Sequence, residues 1–289
     1  MLDQHLPRGL AVHRKSTLTN GKSKIKRQKL KRVVGFHKTC LLPLFLPFAF
    51  CLSVTRAEYR VIPVTHGGTL KGMVKFATET PPRFMYTNRQ EDHCPHGIPQ
   101  QNLIVNQETR GIQNVLIVLD IPEGKAAPLM KPDLNNQGCV FVPHLQWASK
   151  DSTLLIKNSD PAVHNVHALR QDVTAFTVTI EPGAPPVRRP LVETGFYKID
   201  CDRHLWMRAW IYVSEHPYVA VTDTGGRFVL TEIPPGSYDL RAWHEGWIER
   251  GTEPTGQIRF ERMQQVMRVV IQADQTTEVL LDDLKPTFF

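Results

Sequence analysis

Helical signal is what this chain most conspicuously lacks. No long stretch of its 289 residues repeats apolar side chains at helical spacing, which argues against a helical bundle. No Ser/His/Asp arrangement, phosphate-cradling glycine loop or paired-carboxylate motif stands out, so nothing supports a hydrolase. Acidic residues are nearly missing from the first 57 positions, where Asp3 stands against twelve Lys/Arg. The remainder carries 23 basic and 27 acidic residues, so the net charge of +7 belongs to the N-terminal segment. A basic nucleic-acid-binding fold has little support from that distribution.

A long unbroken apolar run is missing too. Cys40–Val54 is 15 residues with two prolines, too short and too broken for a comfortable membrane span. The basic segment, the short apolar run and the small residue Ala57 are expected to form a secretory signal peptide over 1–57, cleaved before Glu58. An uncleaved N-terminal anchor is the alternative. Export directs the protein to the periplasm, with a membrane involved only if that segment is retained.

Cysteine is scarce, at five residues. Cys40 and Cys51 leave with the signal, and Cys94, Cys139 and Cys201 remain. In an oxidising compartment an odd set needs a reason. Pairing Cys94 with Cys139 leaves Cys201 alone. The other reading is a second metal site built from His93, Cys94, His96, Cys139 and His144.

What the chain does have is short β-branched or aromatic runs divided by turn residues. They are Leu70–Phe76, Asn114–Leu119, Val140–Val142, Thr153–Ile156, Phe176–Ile180, Phe196–Ile199 and Ala209–Val213. Tyr218–Val221, Arg227–Leu230, Ser237–Ala242, Val266–Gln272 and Thr277–Leu281 follow. This pattern predicts an all-β protein of two sandwiches. The expected divisions are 58–214, a metal-binding domain with an N-terminal extension, and 215–289, a second β sandwich. Met85–Gln113 reads as a long polar loop.

Four residues carry the chemistry: His164, Cys201, His204 and Met207. Cys201, His204 and Met207 are spaced three apart, so one tight loop between two strands turns all three toward a point. His164 is expected to approach from a separate loop after Asn158-Ser-Asp-Pro. One thiolate, two imidazoles and a thioether suit a copper ion cycling between its two common oxidation states. With every position filled by protein, electron transfer is favoured over catalysis. A buried free thiol among core residues and a structural zinc site are the competing readings.

His164-Asn-Val-His167 together with Tyr197-Lys-Ile-Asp-Cys-Asp-Arg-His-Leu-Trp-Met-Arg208 resembles the metal-binding segments of cupredoxins, amicyanin most closely and plastocyanins with a longer loop. The resemblance covers roughly 140–213 and implies a Greek-key β sandwich holding one type-1 copper. It implies His164, Cys201, His204 and Met207 as ligands, His167 as a strand residue beside the site, and His204 as the more exposed histidine and electron port. As a whole the chain is similar to exported methylamine-utilisation-like proteins that pair a cupredoxin with a second β domain. Ala220–Leu240, with its Asp-Thr-Gly-Gly and Pro-Pro-Gly turns, resembles carboxypeptidase regulatory-like domains, which are transthyretin-like sandwiches akin to carbohydrate-binding folds.

The expected function is single-electron transport between redox partners, a cytochrome or a dehydrogenase, in the cell envelope, with no enzymatic activity. The alternative is a non-redox envelope scaffold whose C-terminal domain binds glycan or protein. Trp206, between two candidate ligands, is placed to shield the metal or face a partner.

Overall fold

The computed structural model describes residues 58–77, 85–86, 93–254 and 256–287. Residues 1–57, expected to be a signal peptide and containing Cys40, Cys51 and the apolar run, lie outside them. Every regular element among the described residues is a strand. None of them forms a helix long and apolar enough to cross a membrane.

Two sandwiches account for most of these strands. The first packs a four-stranded sheet against a five-stranded one. The four-stranded sheet holds Asp133–Gln137, Val140–Val142, Ser152–Asn158 and Val187–Leu191. The five-stranded sheet runs in the order Val173–Ile180, His164–Arg170, Gly195–Asp200, Arg208–Ser214, Leu145–Ser149. Alternation buries one face of Ser152–Asn158, so Leu154 and Ile156 point inward to meet Val166, Ile199 and Ile211 in one core.

Strands from both ends of the chain build the second sandwich. Its five-stranded sheet includes Leu116–Asp120, Val219–Val221, Gly236–Thr252 and Ile258–Ile271. Its three-stranded sheet sets Gly68–Val74 between Arg227–Ile233 and Thr276–Leu281. Residues 58–139 were expected to extend the metal-binding half. Their strands Gly68–Val74 and Leu116–Asp120 instead hydrogen-bond to strands that follow residue 215. The first sandwich is thus inserted into the second, between the antiparallel neighbours Leu116–Asp120 and Val219–Val221. The sequence hides this because β pairing is non-local, and each run is equally suited to either sheet.

A long hairpin, Gly236–Thr252 with Ile258–Ile271, reaches from the second sandwich to the first. Its register shifts between His244 and Ile248, where Gly246 takes φ +101°. A Cβ there would lie 1.7 Å from the Glu261 carbonyl oxygen, so the bulge needs glycine. At the bulge, Glu245 is buried and accepts a 3.0 Å hydrogen bond from Trp210 Nε1 and another from His144 Nε2. Beyond it, Arg208 donates to the Ile258 carbonyl at 2.8 Å and to Asp200 at 2.8 Å.

These buried groups make stability acid-sensitive. Burial alone would raise the Glu245 pKa, but His144, Arg208 and the Trp210 N–H outweigh it and hold the value at about 2 against an ordinary 4.5. Burial pushes His244 down to about 4 from 6.5. Both folded-state values lie below the unfolded ones, so each contribution is complete above the unfolded pKa and is lost on acidification. The thermal midpoint is expected to begin falling below pH 6.5 as His244 charges, and to keep falling from 4.5 toward 2 as Glu245 protonates. Calorimetry across that range checks it, and a flat midpoint between pH 7 and 4 would contradict it.

Candidate metal centre

Three of the four sequence-derived donors meet at one end of the first sandwich. Donor atoms of His164, Cys201 and His204 all lie within 4.8 Å of one another, and all three residues are buried. The two Nδ1 atoms are 3.1 Å apart, and Cys201 Sγ is 3.6 Å from His204 Nδ1. His164 opens the strand His164–Arg170 rather than sitting in a loop. The other two stand on the tight connection between Gly195–Asp200 and Arg208–Ser214. That connection is cross-braced: Met207 N–H donates to the His204 carbonyl at 2.8 Å, and Cys201 N–H to the Met207 carbonyl at 3.2 Å. Met207 is 1% exposed and packs in the same core.

Sequence reasoning missed Asp160. Its carboxylate lies 2.9 Å from His164 Nε2 and also accepts the Gly138 and Cys139 amides. A carboxylate on Nε2 keeps the proton there and turns the Nδ1 lone pair toward His204 and Cys201, the arrangement that metal-ligating histidines use. Its place four residues before His164, within Asn158-Ser-Asp-Pro, was the available signal.

Burial pushes His164 below its ordinary pKa against the pull of Asp160, which favours neutral imidazole. Burial pushes the Cys201 thiol up, while the amides of Asn165, His204 and Arg203 pull it back. Gln257, from the second sandwich, donates to the Cys201 carbonyl at 3.2 Å. Two imidazole nitrogens facing a thiol without a disulfide partner form a donor set suited to a soft or borderline cation.

The expected exposure of His204 is not found: it is 1% exposed, against 0% for His164. Its outer Nε2 lies 3.6 Å from Cys94 Sγ, and Cys94 is joined to Cys139 in the disulfide that parity suggested. Trp206 completes the cover, its ring centroid 5.1 Å from that of His204 and its N–H donating to the Cys139 carbonyl at 2.9 Å. The cover comes from a segment 110 residues away in sequence, which loop spacing cannot reveal. His167 turns aside to Asp202 and Thr174. With Cys94 and Cys139 bonded and His144 held by Glu245, neither cluster of close donors among the described residues includes His93, His96 or His144. The other such cluster, Cys139, Asp160 and His164, has its sulfur in the disulfide.

Replacing both Cys94 and Cys139 by alanine is expected to uncover His204 and destabilise the fold by about 2–4 kcal/mol through the freed loop. Faster histidine modification at residue 204, read by peptide mass spectrometry, with a lower denaturant midpoint, would bear this out. Unchanged reactivity would show the cover to lie elsewhere.

No family model matches the chain, and no curated protein matches it. Among solved structures, it is similar to the Cu-containing nitrite reductase of Thermus scotoductus SA-01, at 19% identity over 32% of this chain, with TM-score 0.28. The chain spans about a quarter of that protein's length, 24%. It is also similar to a purple cupredoxin from Nitrosopumilus maritimus, at 19% identity over 29% of this chain and 100% of that one, with TM-score 0.27. An oxidised amicyanin variant shows 14% identity over 34% and 98% of the two chains, with TM-score 0.27. Likeness of this extent adds nothing about activity; the donor geometry has to speak for itself.

Proposed function

We propose that this protein is a type-1 copper electron carrier. Its carrying observation is the convergence of Cys201 Sγ with the two Nδ1 atoms of His164 and His204, one of them aimed by Asp160. Cys201 would supply the thiolate, His164 and His204 the imidazoles, and Met207 a weak thioether ligand. A bound copper would supply a one-electron couple. The chain's own residues bury the donors, fix the His164 tautomer and brace the loop from both sides.

On this reading the protein is exported, works in the periplasm, holds one copper and passes electrons between partner proteins such as a cytochrome or a dehydrogenase. The site offers no open position for a substrate, so we assign no catalysis. With His204 covered, the half-buried Trp206 is the aromatic that links the site to the surface.

Titration with Cu(II) is expected to give an intense orange-red charge-transfer band saturating at a single equivalent, with a narrow copper hyperfine splitting. Cys201→Ser should abolish that band, and its survival would overturn the assignment. Met207→Gln should keep the metal but lower the reduction potential.

Asp160→Asn should weaken copper binding by about tenfold to a hundredfold while leaving the band in place. Binding must displace the proton of the raised Cys201 thiol, whereas His164 is already neutral at pH 7. Copper affinity should therefore climb about tenfold per pH unit below the thiol pKa. Equilibrium competition against a chelator measures both effects, and a pH-independent affinity would remove Cys201 from the ligand set.

A further inference from the structure

The two sandwiches meet around Leu116, Val118, Leu145, Trp210 and Val219 without closing the whole seam. They leave a cleft of about 890 Å³, within the usual size range of small-molecule sites. Nothing in the copper chemistry uses it.

Its walls carry four aromatic side chains, Phe196, Trp210 and Tyr212 from the first sandwich and Trp243 from the second. Phe196 lies 4.2 Å from Trp243, 5.0 Å from Tyr212 and 5.9 Å from Trp210, centroid to centroid. The Trp210 indole N–H is committed to buried Glu245, which locks that ring in place. Phe196, Tyr212 and Trp243 are only partly buried.

Four cationic side chains also line the cleft, Arg170, Lys198, Arg241 and Arg262, against the carboxylates of Asp120 and Asp172. Three of the four are neutralised by pairing: Arg170 with Glu193, Lys198 with Glu253, and Arg241 with Asp120. Arg262 is different. Its guanidinium lies over the Trp210 ring at 5.9 Å, the side chain is exposed, and it makes no ion pair among the described residues. Its chain neighbour Glu261 is taken by Arg250. A guanidinium held over an aromatic wall without a carboxylate presents the fork that a planar anion fills.

We propose that this cleft binds a small aromatic carboxylate, its ring among Phe196, Tyr212 and Trp243 and its carboxylate on Arg262. A neutral sugar fits less well, because Asp120, one of the two carboxylates lining the cleft, is already consumed by Arg241. The proposal stands whether or not the protein carries copper.

The test is isothermal titration of the full chain with 2-naphthoate and, in parallel, the neutral 2-naphthamide. Saturable binding of naphthoate at one site, at least about tenfold tighter than the amide, is expected from the charge-assisted contact. Arg262→Gln, an exposed position that leaves folding intact, should erase that preference while naphthamide binding stays as it was. Trp243→Leu should weaken both ligands. Equal binding of acid and amide, an unaltered preference in Arg262→Gln, saturable binding of neutral oligosaccharides in place of naphthoate, or no saturable heat with any probe would each overturn the proposal.

Discussion

One buried carboxylate organises the end of the first sandwich where the candidate metal donors meet. Asp160 accepts the Gly138 and Cys139 amides with its two oxygens and engages His164 Nε2 with one of them. It therefore couples the disulfide-bearing turn, which roofs His204, to the orientation of the facing imidazole. Removing a buried charge from such a web leaves other polar groups without partners, so its cost spreads beyond a single hydrogen bond. The donors are prepared from behind rather than by the connection that carries two of them.

Support also arrives from the second sandwich. Glu245 ties Trp210 and His144 to the long hairpin, Glu253 pairs with Lys198 and Arg208, and Gln257 holds the Cys201 carbonyl. Together Glu245 and Glu253 contact both the strand leading into the Cys201 connection and the strand leaving it, through Lys198, Arg208 and Trp210. Buried ion pairs and hydrogen bonds on these strands limit how far the donor cluster can relax.

Much of the fold was legible in the sequence for a simple reason. Every apolar run marked by turn residues proved to be a strand, because alternation and punctuation are local properties. Strand His164–Arg170 showed no alternation and came only through the family likeness at His167, since it is buried on both sides and begins with the polar residues His164 and Asn165. Spacing located Cys201 and His204 together, since a loop three residues per step has few ways to turn. His164 joined them as the second imidazole of the donor set, expected from a separate loop upstream. Asp160, Gln257 and the cover on His204 were not legible, because each acts across a gap of sequence that only tertiary packing closes. The assignment of Gly68–Val74 failed on the same ground.

Nesting one sandwich inside the other also sets an order of events during synthesis. Gly68–Val74 pairs in parallel with Thr276–Leu281, so one of the first strands described waits for one of the last before its sheet is complete. The inserted sandwich, whose strands lie within 133–214, can close as soon as its own residues are available. Until the remaining strands follow, Gly68–Val74 and Leu116–Asp120 stand with unfilled hydrogen-bonding edges. The host therefore carries the long sequence separations that retard β assembly, while the strands of the guest lie within one contiguous stretch.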